Sequence, residues 1–177
     1  MCSLWTAVDP LVFVSLVKIL ASVELTPAQQ SAFSKAAFLC SRSEKCTSEI
    51  REKLRQWELS DDQLVPVLKK LLDEKYIDDE RFARAYAKDK FRFNRWGRQK
   101  IEYMLRSKQI PHEIVELAMK ELNEDSYAEK LRQLLSEKAK SIKGKDQFDR
   151  RNKLVRFAMS RGFEMNSIYN ALKELGI

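Results

Sequence analysis

One apolar pattern occurs three times along the chain, and it constrains the fold more than any single segment does. Ile50, Leu54, Leu59, Leu64, Val67, Leu68 and Leu71 return 51 residues later as Ile101, Leu105, Ile110, Val115, Ala118, Met119 and Leu122. After a further 53 residues they return as Leu154, Ala158, Phe163, Ile168, Ala171, Leu172 and Leu175. The steps of three, four and seven within each copy put these residues on helix stripes. Self-similarity at a fixed period marks a repeat architecture, in which units too small to bury their own apolar faces stack on their neighbours. The expected fold is all-α: three tandem three-helix repeats stacked into an elongated curved body.

Chain punctuation agrees with this. Only 4 of 177 residues are glycine and 4 are proline, and the charged 33% interleaves with the apolar positions rather than forming tails. Such breaker-poor stretches read as helix. The repeats are placed at residues 28–77, 78–123 and 124–177, with 1–27 as an N-terminal extension of different character. Leu11 to Leu25 is largely apolar, but Lys18 interrupts it and no basic region precedes it. Its apolar run falls short of the ~20 residues that span a bilayer, so it is read as neither anchor nor export signal. A loose extension, or extra residues from an upstream start codon, is the expectation.

Local signals then place the helices. Thr26 caps a helix over about Ala28 to Ser41 with Pro27 in its first position. Further helices follow over Ser48 to Trp57 and from Ser60-Asp61-Asp62, the latter tolerating Pro66 near its start. The second repeat opens at Tyr76-Ile77-Asp78-Asp79-Glu80, where three carboxylates meet the positive end of a helix dipole. Phe82, Ala85, Tyr86 and Phe93 are expected on its inward face. Gly97 breaks the chain and Pro111 starts the next helix, while the third repeat opens over about Asp125 to Ile142 and turns at Gly162.

Charge points toward a polyanion. The net charge is +7, and it is uneven: residues 28–77 carry nine cations against eight acids, whereas Lys88 to Lys108 carries eight against two. Lys138 to Arg161 carries nine against two. The candidate binding residues are Lys88, Lys90, Arg92, Arg95, Arg98, Lys100 and Lys108 in the middle repeat. Lys140, Lys143, Lys145, Arg150, Arg151, Lys153 and Arg156 are their counterparts in the last. Aromatic rings between such cations resemble the stacking platforms of single-strand binders, and Phe91 and Trp96 are the candidates, with Phe93 reserved for the core. Solvated helix faces offset by distant carboxylates are the alternative.

Other chemistry finds little support. Cys2, Cys40 and Cys46 read as free thiols of a reducing cytosol, and neither they nor His112 have the spacing of a zinc site. Asp78, Asp79 and Glu80 point in different directions on a helix start and read as caps. No phosphate-binding glycine loop and no nucleophile motif occurs, so catalysis, cofactor and metal are not expected.

The chain resembles the RecX family of regulatory proteins over roughly Ala36 to Leu175. The resemblance lies in Tyr76-Ile77-Asp78-Asp79-Glu80-Arg81-Phe82-Ala83, then Gly97, Lys100-Ile101, Leu105 and Lys108. Leu154, Phe157, Arg161-Gly162-Phe163 and Ile168 close the pattern, and Ser43, Ser48-Glu49-Ile50 and Lys53-Leu54 open it. Gln109 departs from it where many members carry glycine, which puts a glycine-dependent turn there in doubt. The resemblance implies a non-enzymatic cytoplasmic protein that binds the RecA filament on single-stranded DNA, lodges along its groove and damps ATP hydrolysis, strand exchange and coprotease activity. Recombination, DNA repair and the SOS response are the processes implied, and a monomer is expected. The competing reading is a direct helix-turn-helix-like regulator of duplex DNA, and a third is a protein-interaction scaffold whose basic surface serves solubility.

Overall fold

A computed structural model describes residues 24–177, so the expectations for the extension before Glu24 lie outside the described residues. Nine α-helices and no strand occur among the described residues. The first unit holds α1 (Pro27–Arg42), α2 (Thr47–Gln56) and α3 (Asp61–Asp73). The second holds α4 (Asp79–Arg92), α5 (Arg98–Ser107) and α6 (His112–Lys120). The third holds α7 (Glu124–Ser141), α8 (Gln147–Ser160) and α9 (Met165–Glu174). In every unit the first helix packs along the third, and the second closes the bundle.

The threefold pattern is a pattern of burial. Every matched apolar position is buried except Leu59 and Leu175, which are half-buried. Each unit also turns from its second to its third helix through one residue in the left-handed region, at equivalent places: Glu58 at φ +65, Gln109 at φ +60 and Gly162 at φ +86. The turn at Gln109 therefore forms without glycine. Of these three turns only the third requires glycine, because a Cβ at Gly162 would run into the backbone and Cβ of Lys100.

Helix starts show how the units connect. The first four N–H groups of a helix lack intrahelical partners. The opening helices of the units meet that need locally: Thr26 accepts from the Gln29 N–H, Asp78 from Glu80 and Arg81, and Asn123 from Ser126. The second helices of units 1 and 2 start at Cys46 and Gly97, which give no side-chain cap. Their N–H groups go to the next unit instead. The Thr47 N–H donates to Asp79 Oδ1 at 2.8 Å, and the Gly97 and Gln99 N–H groups donate to the Arg161 and Gly162 carbonyls at 2.8 and 3.1 Å. In unit 3, by contrast, Asp146 caps α8 from within the unit by accepting from the Asp149 N–H at 2.7 Å.

Two inward assignments change. Phe93 lies outside α4 and is 78% exposed, while Phe91 is 7% exposed and stacks on Tyr127 at 5.6 Å. The middle unit has neighbours on two sides, so its first helix buries two stripes. Phe82 and Tyr86 form one, under the Lys108 ammonium; Ala87 and Phe91 form the other, which Phe91 carries to Tyr127 of unit 3. Nine residues separate Phe82 from Phe91, about half a turn out of phase at ~100° per residue, which a single-stripe reading cannot accommodate.

Candidate nucleic-acid interface

Tyr127 of α7 organises the junction between units 2 and 3. Its ring is 2% exposed and lies between Phe91 and Phe163, with centroids at 5.6 and 5.2 Å. The hydroxyl donates to Glu164 Oε2 at 2.6 Å and accepts from the Arg98 N–H at 3.1 Å, so one side chain fixes the starts of both α9 and α5. Burial, reinforced by the Glu164 hydrogen bond and charge, pushes its phenol well above the usual tyrosine range. Above the ring, 4.1 Å from its centroid, sits the Arg98 guanidinium, which also donates to the Leu122 carbonyl and pairs with Glu124 at 2.8 Å.

This junction gathers cations from both units around two aromatic rings. Lys90 and Lys100 hold their ammonium groups 5.4 and 4.8 Å from the centre of the half-buried Trp96 ring. Lys100 also donates across the junction to the Ser160 carbonyl at 3.3 Å. From the other side Arg161 donates to the Asn94 carbonyl at 3.0 Å and lies over Phe157, which Lys138 covers as well. Arg95 pairs with Glu137 of α7. Cation–aromatic contacts of this kind hold an ammonium or guanidinium in place without neutralising it, so the positive charge remains available to an anion. Lys138 and Arg161 belong to the basic run of the sequence but are not among its candidate binding residues. Arg161 had a usable signal, since it occupies the repeat position of Lys108.

The other predicted cations divide sharply. Lys108 pairs with Glu49 at 2.5 Å across the junction of units 1 and 2; burial opposes its charge, but the Glu49 hydrogen bond and charge prevail and raise its pKa. Lys88 pairs with Glu121 at 2.6 Å and Lys153 with Asp149 at 2.8 Å. Arg150 donates to the Ala139 carbonyl at 2.7 Å, and Arg151 lies over Tyr169. Arg92, Lys140, Lys143, Lys145 and Arg156 are exposed, and among the described residues no carboxylate pairs with any of them. Two assignments are corrected: Arg98 is held inside the junction rather than offered to a ligand, and Phe91 is a core ring rather than a surface stacking ring.

Remaining acidic and metal-type candidates have local roles. Asp78 caps α4, Asp79 accepts from Thr47, and Glu80 pairs with Arg84 at 2.6 Å. His112 is exposed beside Glu116 at 3.3 Å. No group of three or more His, Cys, Asp or Glu side chains placed to hold a metal ion occurs among the described residues. No described helix is long and apolar enough to cross a membrane.

Known proteins bear on the same residues. Family models of the second and third three-helix domains of RecX match residues 78–119 and 124–172. The regulatory protein RecX of Prosthecochloris aestuarii is 35% identical over 146 residues, covering 82% of this chain and 94% of the relative. That of Clostridium acetobutylicum is 30% identical over 148 residues, covering 81% and 68%. The crystal structure of RecX from Lactobacillus salivarius aligns with a TM-score of 0.76 at 22% identity, covering 84% of this chain and 97% of that one, which speaks to the fold. The domain matches fall on the units that build the Tyr127 junction, and the relatives extend the likeness to most of the chain: it belongs to the RecX family of regulatory proteins.

Proposed function

We propose that this protein is a non-enzymatic modulator that binds a RecA filament on single-stranded DNA and inhibits its ATP hydrolysis, strand exchange and coprotease activity. Recombination, DNA repair and the SOS response are the processes it modulates. The observation that carries this reading is the cation cluster built across the junction of units 2 and 3. Lys90, Lys100, Lys138 and Arg161 converge there from three helices and a turn, and Arg92, the last residue of α4, is exposed just before the connection that carries Asn94 and Arg95. A surface assembled from two repeats suits a ligand that is itself extended and repeating, with phosphates at regular intervals, better than a small molecule. Its charge is oriented by aromatic rings and carbonyls, which reduces the side-chain entropy lost on binding.

The helix-turn-helix alternative has less support. The turns at Lys108 and at Arg161-Gly162 are occupied in joining units, through the Ser48 hydroxyl at 2.5 Å and the Gly97 and Gln99 N–H groups. A reading head would need those helix pairs free to enter a groove.

The test is ATP hydrolysis by the cognate recombinase on single-stranded DNA, titrated with this protein at two salt concentrations. Inhibition that weakens with salt is expected, because displaced counterions return to the phosphates. Charge reversal at Arg92, Lys140 and Lys143, none of which holds the fold together, reduces that inhibition. Unchanged turnover at saturating protein would sink the reading.

A further inference from the structure

Phe93 and Phe148 break the burial pattern of this chain. They are 78% and 73% exposed, the first at the end of α4 and the second in the first turn of α8. A phenylalanine ring has no polar handle to keep wet, so full exposure forgoes burial that a nearby core could supply. Isolated exposed rings are common and carry no message by themselves. Position and company distinguish these two. Both lie at the corner that links the first helix of a unit to the second, in units 2 and 3; the same corner of unit 1 is Ser43-Glu44-Lys45.

Those corners also hold cations that pair with no carboxylate among the described residues. Arg92 precedes Phe93, and Lys143 and Lys145 lie on the connection that leads to Phe148. Arg156 shares a shallow surface hollow with the Phe148 ring. The two acids beside Phe148 are already engaged: Asp146 accepts from the Asp149 N–H at 2.7 Å, and Asp149 accepts from the Lys145 N–H and from Lys153 at 3.1 and 2.8 Å. Furthermore, the corners are tied together. Arg161, which follows α8, donates to the Asn94 carbonyl next to Phe93, while Phe148 begins the same helix. A helix of 14 residues separates its two ends by about 20 Å.

The geometry points to Phe93 and Phe148 as base-stacking rings for single-stranded nucleic acid, with Arg92, Lys143, Lys145 and Arg156 taking the phosphates between and beside them. This rests on the phosphate-binding reading above and adds the bases to it. A single strand offers base faces and phosphates within one short stretch, and stacking is indifferent to sequence because every base has a π-face. A duplex keeps its bases stacked on one another, so it would leave both rings unused. Phe38, the exposed phenylalanine of unit 1, lacks this setting: it lies within α1 under Arg42, in a unit whose charges nearly cancel.

The test compares the full chain with its Phe93→Ala/Phe148→Ala variant. Fluorescence anisotropy is read on a 15-mer of thymidine and on an abasic strand of equal length, each at two salt concentrations. Both substitutions are at exposed sites, and matching thermal melts establish that the variant is folded. Wild type is expected to prefer thymidine over the abasic strand by roughly tenfold or more, and the variant to lose that preference while keeping its salt slope. If the variant retains the preference, the rings take no base and this inference fails, although the phosphate reading stands. Wild-type binding to neither strand, or salt-independent binding to both, overturns the phosphate reading along with it. Loss of recombinase inhibition with strand binding intact would make the rings protein anchors, which also rejects the inference.

Discussion

The two junctions of this molecule are made from equivalent residues and held by different forces. Between units 1 and 2, Cys46 begins the connecting helix, and the contacts are polar. Thr47 meets Asp79, the Ser48 hydroxyl donates to the Lys108 carbonyl, and Glu49 pairs with Lys108, while Glu44 pairs with Arg81 at 2.7 Å. The apolar residues of unit 1 form a cluster of their own, and Cys46 alone of its buried side chains joins the cluster of the other two. Between units 2 and 3, Gly97 takes the place of Cys46, its backbone lies against Gly162, and Phe91, Tyr127 and Phe163 fuse two units into a single core. Burial of rings is roughly proportional to area and insensitive to salt, whereas partly exposed ion pairs contribute little and are screened. Units 2 and 3 should therefore act as one rigid block, with unit 1 attached by a softer connection. The block is also where the cations and both exposed corner rings reside.

The comparison can be broken most directly at Tyr127. Replacing it by alanine empties the shared core and should cost about 3–5 kcal/mol. Hydrogen exchange read unit by unit should show the loss in units 2 and 3 together while unit 1 keeps its protection. Equal loss in all three would mean that the chain is one cooperative body. Next in size is Gly97→Ala, whose Cβ would overlap the Gly162 carbonyl and the Phe163 N–H; overpacking of this kind costs about 1–3 kcal/mol or more. Cys46→Ala at the equivalent place should lower the thermal midpoint by less, and the reverse ranking would contradict the assignment of a tight and a loose junction.

Alkaline titration sharpens the same contrast. The Tyr127 phenol is held protonated in the folded protein, while the unfolded chain releases that proton near pH ~10. Its contribution is complete below that value and is lost as pH rises above it, by up to about 1.4 kcal/mol per pH unit. Tyr127→Phe should begin less stable, with Glu164 and the Arg98 N–H unpaired, and then lose less on going from pH 9 to 11. The smallest effect is expected at the other junction. Glu49→Gln should cost about 0.5–1 kcal/mol at low salt and still less at high salt, measured as the difference in urea midpoint. A salt-independent cost would show that this junction is not electrostatic.

Much of the fold was legible because its signals are local. Thr26 and Asp78 announce helix starts through their own side chains, and the three apolar septets keep their register even where Phe163 stands in place of Leu59 and Ile110. The candidate site was legible only as a region. Lys108 and Arg98 look like any other members of the basic run, yet each is committed to a partner that lies 59 or 26 residues away in sequence, Glu49 and Glu124. Phe91 and Phe93 exchange roles for a similar reason. Phe93 still follows the helical phase, with its N–H bonded to the Asp89 carbonyl, but two residues place it about 200° round the helix from Phe91 and so away from Tyr127, before Arg95 turns the chain at φ +55 toward the junction.

By itself the sequence determined the helices, their threefold register and the excess of positive charge in the last two units, since side-chain spacing and local capping act over a few residues. Tertiary structure decided which junction is tight, which cations are spent inside the protein and which rings face water. Those outcomes depend on what each side chain meets across a junction, and that is a property of distances between units rather than of order along the chain.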